Sequence, residues 1–390
     1  MRTIVCTAAA LTLAGCAGVS QPPDSGRGYL AVSANDNKAV LVDGKTTVVP
    51  NPAPDTVAII DLRASPPRLV AEIDAPASVI GPPTSVAVAP DESIALVTAA
   101  MKKSATDPSR QVPDSRVSVI DLTVRPPQVI ATLTAGDGAA GVSINRAGNL
   151  ALVANRAEGS VSVFTIAGKT VTPAGKVQLG NATSGPSHVA ITPDGRTALV
   201  TRDGDFKISV LSIEGTKVVY AKRDLNAGLR PYGLDICNPG DIAVVANVGL
   251  GQGDADTISV IDLQAKPPRV IDTISVGQTP EGIACSPDGS RVAVVAMSGS
   301  NYAPNSPFYR KNGRVVLLSV DGKKLSKVAE ADIGTWSQGA AFSPDSRTLL
   351  VQNMVEKEIQ VFEIGVFGLR DTGQRIQLKG GPVGIRTAPQ

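Results

Sequence analysis

Seven copies of one four-strand phrase run between residue 28 and the C-terminus, and this repetition restricts the chain to a closed ring of small sheets. The opening strand of each copy follows a turn, most often a proline. It recurs as Pro83-Thr-Ser-Val-Ala-Val88, Ala140-Gly-Val-Ser-Ile144, Pro186-Ser-His-Val-Ala-Ile191, Pro231-Tyr-Gly-Leu-Asp-Ile236, Pro280-Glu-Gly-Ile-Ala-Cys285, Gln338-Gly-Ala-Ala-Phe342 and Pro382-Val-Gly-Ile-Arg-Thr387. Tight turns such as Thr192-Pro-Asp-Gly195 and Ser286-Pro-Asp-Gly289 follow several of them, because proline presets φ at the second turn position and Asp or Gly tolerates what comes next. These turns predict hairpins.

The second strand is an apolar run such as Leu152-Val-Ala-Asn155 or Val244-Val-Ala-Asn247. The third alternates with period two and is rich in β-branched residues, as in Val117-Ser-Val-Ile-Asp-Leu122 and Ile258-Ser-Val-Ile-Asp-Leu263. A weaker fourth strand follows the Pro-Pro turns at Pro66-Pro67, Pro126-Pro127 and Pro267-Pro268. Openings recur roughly every 45 to 57 residues, near the period of propeller blades, and no helical period competes with this outside the leader. The N-terminal copy lacks an opening strand while the C-terminus carries a spare one, Pro382 to Thr387, so the last strand is expected to complete the first blade. The fold class read from these features is all-β, a seven-bladed β-propeller over residues 28–390, one domain despite the length.

The segments Leu152-Val-Ala-Asn155 and Val244-Val-Ala-Asn247, the Ser286-Pro-Asp-Gly289 turn and the Val-Ile-Asp-Leu strands resemble those of the YVTN-repeat seven-bladed β-propellers, which are similar in turn to secreted lactonase-like propellers. The usual leading tyrosine of that repeat is replaced here by Leu or Val. The resemblance implies the fold directly. Activity has to be read from the site, since propellers host many chemistries.

Residues 1–15 read as a signal peptide, with Arg2 as the positive start and Ile4 to Leu13 as an apolar stretch too short to span a bilayer. Leu13-Ala-Gly-Cys16 resembles a lipobox, which implies acylation of Cys16 and a lipid anchor. Residues 16–27 form a polar tether. The chain is thus expected to be exported and lipid-anchored in the cell envelope, on the periplasmic side of the outer membrane or at the cell surface, with the membrane as partner through Cys16.

A formal net charge of +2 with scattered basic residues leaves no electrostatic footprint for nucleic acid. No cofactor is expected, because no haem motif and no metal-type Cys/His spacing exists. Cys237 and Cys285 fall at the seventh and sixth positions of neighbouring opening strands, and since adjacent positions of a strand face opposite sides, two buried free thiols are expected.

With strands a to d numbered outward from the channel, the d-to-a turns and b-to-c loops share one face, and the Pro-Asp-Gly hairpins the other. All long insertions are b-to-c loops: 36–54, 101–114, 249–255 and 298–312. Rigid scaffolds carry binding surfaces on such loops. Aromatics are only 3% of the chain, yet Tyr302, Phe308 and Tyr309 share one loop with Arg310, and Trp336 stands in the next d-to-a turn. These residues, with Tyr232 and Gln338, form the expected binding set for a protein, polymer or small ligand. Self-packing of that loop is the other reading. Ser85, His188, Tyr232, Glu281, Gln338 and Arg386 are expected to converge on the channel mouth.

Two functions follow. In the first, an envelope-anchored propeller binds a partner or ligand on the loop-rich face without catalysis. In the second, implied by the lactonase-like resemblance, a hydrolase or isomerase acts on a cyclic ester, with His188, Glu281, Arg202 and Arg230 as the candidate catalytic groups.

Overall fold

A computed structural model describes residues 29–365 and 368–389; the expected signal peptide and tether, with Cys16, lie outside the described residues. Seven four-stranded antiparallel sheets stand around a central channel. Blade 1 is built from both ends of the chain, in the order Gly381–Thr387, Leu30–Asp36, Thr56–Asp61 and Arg68–Asp74. Its closing ladder pairs Ala31 with Thr387 and Ser33 with Ile385, so the spare C-terminal strand takes the place foreseen for it. In blades 2 to 7 the four strands follow chain order, with inner strands Val86–Val88, Ala139–Ile144, Pro186–Ile191, Pro231–Cys237, Pro280–Cys285 and Ser337–Phe342.

The core is a set of seven apolar slabs, one between each pair of neighbouring blades. This explains why the second strands read as unbroken apolar runs. In blade 3, Leu150, Leu152 and Ala154 pack into the slab against blade 4, while Ala151 and Val153 pack into the slab against blade 2. Successive side chains leave a strand on opposite faces, and here both faces are covered. Each fully buried Leu or Val contributes about 1.5–3 kcal/mol relative to an exposed one.

The same stacking overturns the expectation for the two cysteines. Cys237 and Cys285 form a disulfide with a Cα–Cα distance of 5.1 Å across blades 5 and 6. Side chains that meet between two stacked sheets must leave those sheets in opposite senses. The difference in parity between the sixth and seventh positions therefore permits the bridge instead of forbidding it. Cys237 is buried in the blade 5–6 slab, and Cys285 packs against it.

Two of the long b-to-c insertions fold into small hairpins on the loop face, Ala39–Val42 with Lys45–Val48 and Met101–Lys103 with Gln111–Pro113. The tip of the first, at Gly44, abuts the backbone of Tyr302 and Ala303 in the blade 6 insertion. The chain between these two hairpins is tied together by Lys103, whose ammonium donates to the Pro50 carbonyl. Loops of blades 1, 2 and 6 thus form one connected rim.

Candidate functional site

Most inner strands carry a register shift near their start, for example between Pro186 and Val189, Pro231 and Leu234, and Pro280 and Gly282. A bulge of this kind re-aims a side chain out of the regular alternation. The second residue of the strand sits within each shift: Ser187, Tyr232 and Glu281 in blades 4, 5 and 6. Here they gather at the loop-face mouth of the channel, beside charged residues from the ends of the second strands.

Asp203 stands at the centre of this group. Its Oδ2 accepts from Arg156 Nη2 at 2.7 Å and from Arg230 Nη2 at 3.2 Å, and its Oδ1 lies 3.0 Å from the Ser187 hydroxyl. Arg156 also donates to Ser187 Oγ, and its guanidinium lies 5.5 Å from the centre of the Tyr232 ring. Gly185 makes this approach possible: its φ is +59°, and a Cβ there would collide with the Asp203 carboxylate. Asp203 and Tyr232 are buried, while Arg230 is the more open of the two arginines. Above the cluster lies a cavity of about 470 Å³, lined by Arg156, Asp203 and Arg230 together with Ile80, Met101 and Thr183.

Glu281 belongs to the same electrostatic unit. Burial pushes its carboxyl up to about 8, against the pull of Arg230 and Arg156 and with a further push from Asp203. Burial likewise pushes the Tyr232 hydroxyl well above its ordinary range. Of this cluster, the Arg156 and Arg230 guanidiniums and the Asp203 side chain that pairs with both line the cavity, while Glu281, neutral below about pH 8, stands behind them. Such a site attracts an anionic or oxygen-rich ligand and holds a proton acceptor that is generated just above neutral pH.

Residues one step beyond the end of each second strand divide the mouth into two halves. Blades 3 and 4 supply Arg156 and Asp203, whereas blades 5, 6 and 7 supply Val248, Met297 and Met354, all buried. Met297 and Met354 share an apolar cluster with Trp336 and Val383. The polar half stays open, and the apolar half is roofed.

This arrangement sorts the residues singled out in the sequence. Glu281, Arg230 and Tyr232 are brought together. His188 lies one residue further along its strand, 3% exposed, and its Nδ1 accepts from the Leu234 N–H at 3.3 Å. Burial, with the nearby Arg386 charge, pulls its pKa well below the ordinary histidine value, so it is neutral. Gly141 leaves room for it, since a Cβ there would come within 2.7 Å of the His188 ring. Arg202 is turned away into blade 4, where it pairs with Asp205, donates to Ser209 Oγ at 3.2 Å and lies 3.7 Å from Asp224.

The aromatic set divides likewise. Trp336 is only 7% exposed and belongs to the roof, and its backbone N–H donates to Ser300 Oγ at 3.0 Å. Gln338 is buried behind it and donates to the Trp336 carbonyl at 3.2 Å. The Tyr302 and Phe308 rings lie 6.0 Å apart, and Phe308 presses on Gly253 of the blade 5 insertion. Tyr309 is half-buried, and exposed Arg310 reaches back only to the Tyr309 carbonyl at 2.8 Å. The self-packed reading of this loop describes most of its contacts. Arg386, placed at this mouth in the sequence reading, instead faces the opposite end of the channel, because it stands near the far end of its strand, whereas the bulge lies near the start, at Val383.

Arg156, Asp203 and Ser187 were not singled out in the sequence. The available signal was positional: the residue after the end of the second strand is charged in blades 3 and 4, and small or apolar in blades 2, 5, 6 and 7.

The family model described as lactonase, 7-bladed β-propeller matches residues 109–226, which span most of blades 2 to 4 and include Arg156, Ser187, His188 and Asp203. No curated protein matches the chain significantly. Among solved structures, the chain is similar to a putative 6-phosphogluconolactonase of Bacteroides fragilis, with 16% identity and a TM-score of 0.70 over 94% of this chain and 100% of that one. It is also similar to the periplasmic gluconolactonase of Pseudomonas aeruginosa, with 19% identity and a TM-score of 0.64 over 92% and 99%. Hydrazine synthase of Kuenenia stuttgartiensis matches with 18% identity and a TM-score of 0.61 over 80% and 91%. At these identities the likeness establishes the propeller fold.

Proposed function

We propose that this lactonase-like propeller hydrolyses a small, oxygen-rich cyclic ester at the polar half of its loop-face mouth. The observation that carries this reading is Glu281, a half-buried carboxyl beside the charges of Arg156, Arg230 and Asp203 that is raised to about 8. In its ionised form it accepts a proton from the attacking water. The guanidinium N–H groups of Arg156 and Arg230 not engaged by Asp203 stabilise the oxyanion that develops on the ester carbonyl. The ring then opens to a hydroxy acid. The two guanidinium groups lining the cavity favour a substrate that already carries a carboxylate or many hydroxyls. His188 and Arg202 have no part in this step, the first because its accepting Nδ1 is occupied by the Leu234 N–H and it lines the opposite end of the channel, the second because it is engaged within blade 4.

Binding without turnover is the second reading, and one observation favours it: among the described residues none hydrogen-bonds the Glu281 carboxyl to fix its orientation. A panel of five- and six-membered sugar-acid lactones separates the two. Turnover by the wild type that rises from pH 6.5 to 8.5 and drops at least 100-fold in Glu281→Gln supports hydrolysis. Absence of turnover with saturable binding of a sugar acid, lost in Arg156→Met, supports binding alone.

The reading also includes the envelope location. The lipobox-like Leu13-Ala-Gly-Cys16 and the Cys237–Cys285 bridge both support it, since disulfides persist in oxidising compartments. Labelled palmitate should be incorporated by the wild type and not by Cys16→Ser; equal labelling would remove the anchor.

A further inference from the structure

The opposite end of the channel, on the hairpin face, holds a second cavity of about 180 Å³. Its wall is a collar of small residues from the inner strands of five blades: Ala87, Ser143, Ala190, Ala284 and Ala341. Two blades break the collar with charge, Asp235 in blade 5 and Arg386 in blade 1. His188 lies in the same wall, and Arg146 stands at the rim, donating to Asn238 Oδ1 at 3.0 Å.

Arg386 is poorly satisfied. Its Nη1 reaches only the Ile283 carbonyl, at 3.5 Å, and its Nη2 is buried without a partner. Asp235 does not pair with it: the two Asp235 oxygens accept instead from the Cys285 N–H at 2.9 Å and the Ile236 N–H at 3.0 Å. Leaving a buried charged donor unmatched is costly, so a group that supplies the missing acceptor is favoured. The Nδ1 of His188 is occupied as an acceptor, which assigns the ring proton to Nε2 and leaves that nitrogen a second donor.

We propose that this cavity is a binding site for a small oxyanion, a short carboxylate or inorganic phosphate, held chiefly by Arg386 with His188 Nε2–H as the neutral donor. The volume admits one such ion with a few waters, at about 30 Å³ of liquid volume per water. The loop-face cavity is the larger of the two, at about 470 Å³. The two sites also differ in residues, which allows each to be tested alone.

The test is thermal unfolding of the full mature chain in formate, acetate or inorganic phosphate, against sodium chloride at equal ionic strength. A saturable rise in Tm is expected with one of the oxyanions and not with chloride. Which anion saturates at the lower concentration identifies the class. Arg386→Gln should weaken that saturation at least 10-fold, and Glu281→Gln should leave it unchanged. Since Arg386 lies in the closing strand, Ala190→Leu provides a second variant that fills the cavity without altering charge, and it should abolish the effect. An anion response absent from the wild type, retained in both Arg386→Gln and Ala190→Leu, or abolished by Glu281→Gln, overturns the proposal.

Discussion

Glu281→Gln tests the electrostatics of the mouth without reference to any substrate. A carboxyl raised in the folded protein binds a proton more tightly there than in the unfolded chain. Its ionisation therefore costs stability as pH rises from the unfolded value near 4.5 to the folded value near 8, and above 8 the full cost is present. Moving the ionisation from near 4.5 to about 8 corresponds to about 5 kcal/mol. Glu281 keeps a partly accessible surface at the mouth, and screening there reduces the expected effect to about 2–3 kcal/mol. The assay is urea unfolding at pH 5.5 and 9. Wild type should lose about 2–3 kcal/mol more than Glu281→Gln between these two values, and the glutamine variant should be the more stable protein at pH 9. Equal losses in the two proteins would mean that Glu281 ionises at an ordinary carboxyl value, and the proposed base would lose its physical ground.

Other perturbations probe the frame. Reducing the Cys237–Cys285 bridge, or replacing both cysteines by serine, removes a cross-link over 48 residues and should lower stability by about 4 kcal/mol in denaturant unfolding. Gly185→Ala places a Cβ against Asp203 at a φ of +59°; we expect a cost of about 1–3 kcal/mol and weaker ligand binding at the loop-face mouth by calorimetry. Trp336→Ala should cost about 3–5 kcal/mol by opening the roof, with the loss visible in Tm. Deleting residues 380–390 leaves Leu30–Asp36 without its inner partner, so the truncated chain should expose apolar surface, measured by dye binding, and should aggregate.

The blade count, the strand order and the closure by Pro382–Thr387 were legible in the sequence because each is written seven times or is the remainder of that repetition. The disulfide was misread because side-chain parity was applied as it holds within one sheet, whereas stacked sheets meet through opposite faces. Glu281, Tyr232 and Arg230 were legible as members of the mouth because they stand at or beside the strand openings. Their partners Arg156 and Asp203 were not, since their role rests on which blades lie next to one another around the ring, and they carry no motif. Trp336 was assigned to a surface from its place in a turn. Its φ of +51° folds that turn inward, and the side chain joins Met297 and Met354. Arg202 and Arg230 looked equivalent as lone arginines, and only the Asp205 and Asp224 carboxylates beside the first distinguish them.

The make-up of blade 1 fixes an orientation. Its second strand, Leu30–Asp36, runs away from the hairpin face, and its inner strand, Gly381–Thr387, runs back to that face. The described chain therefore enters and leaves the ring on the same side, the one bearing the Arg386 cavity. A tether acting through the residues ahead of Tyr29 pulls on that side. Under the proposed anchoring through Cys16, the Arg156–Asp203–Arg230 mouth would face outward, toward whatever diffuses past the membrane surface.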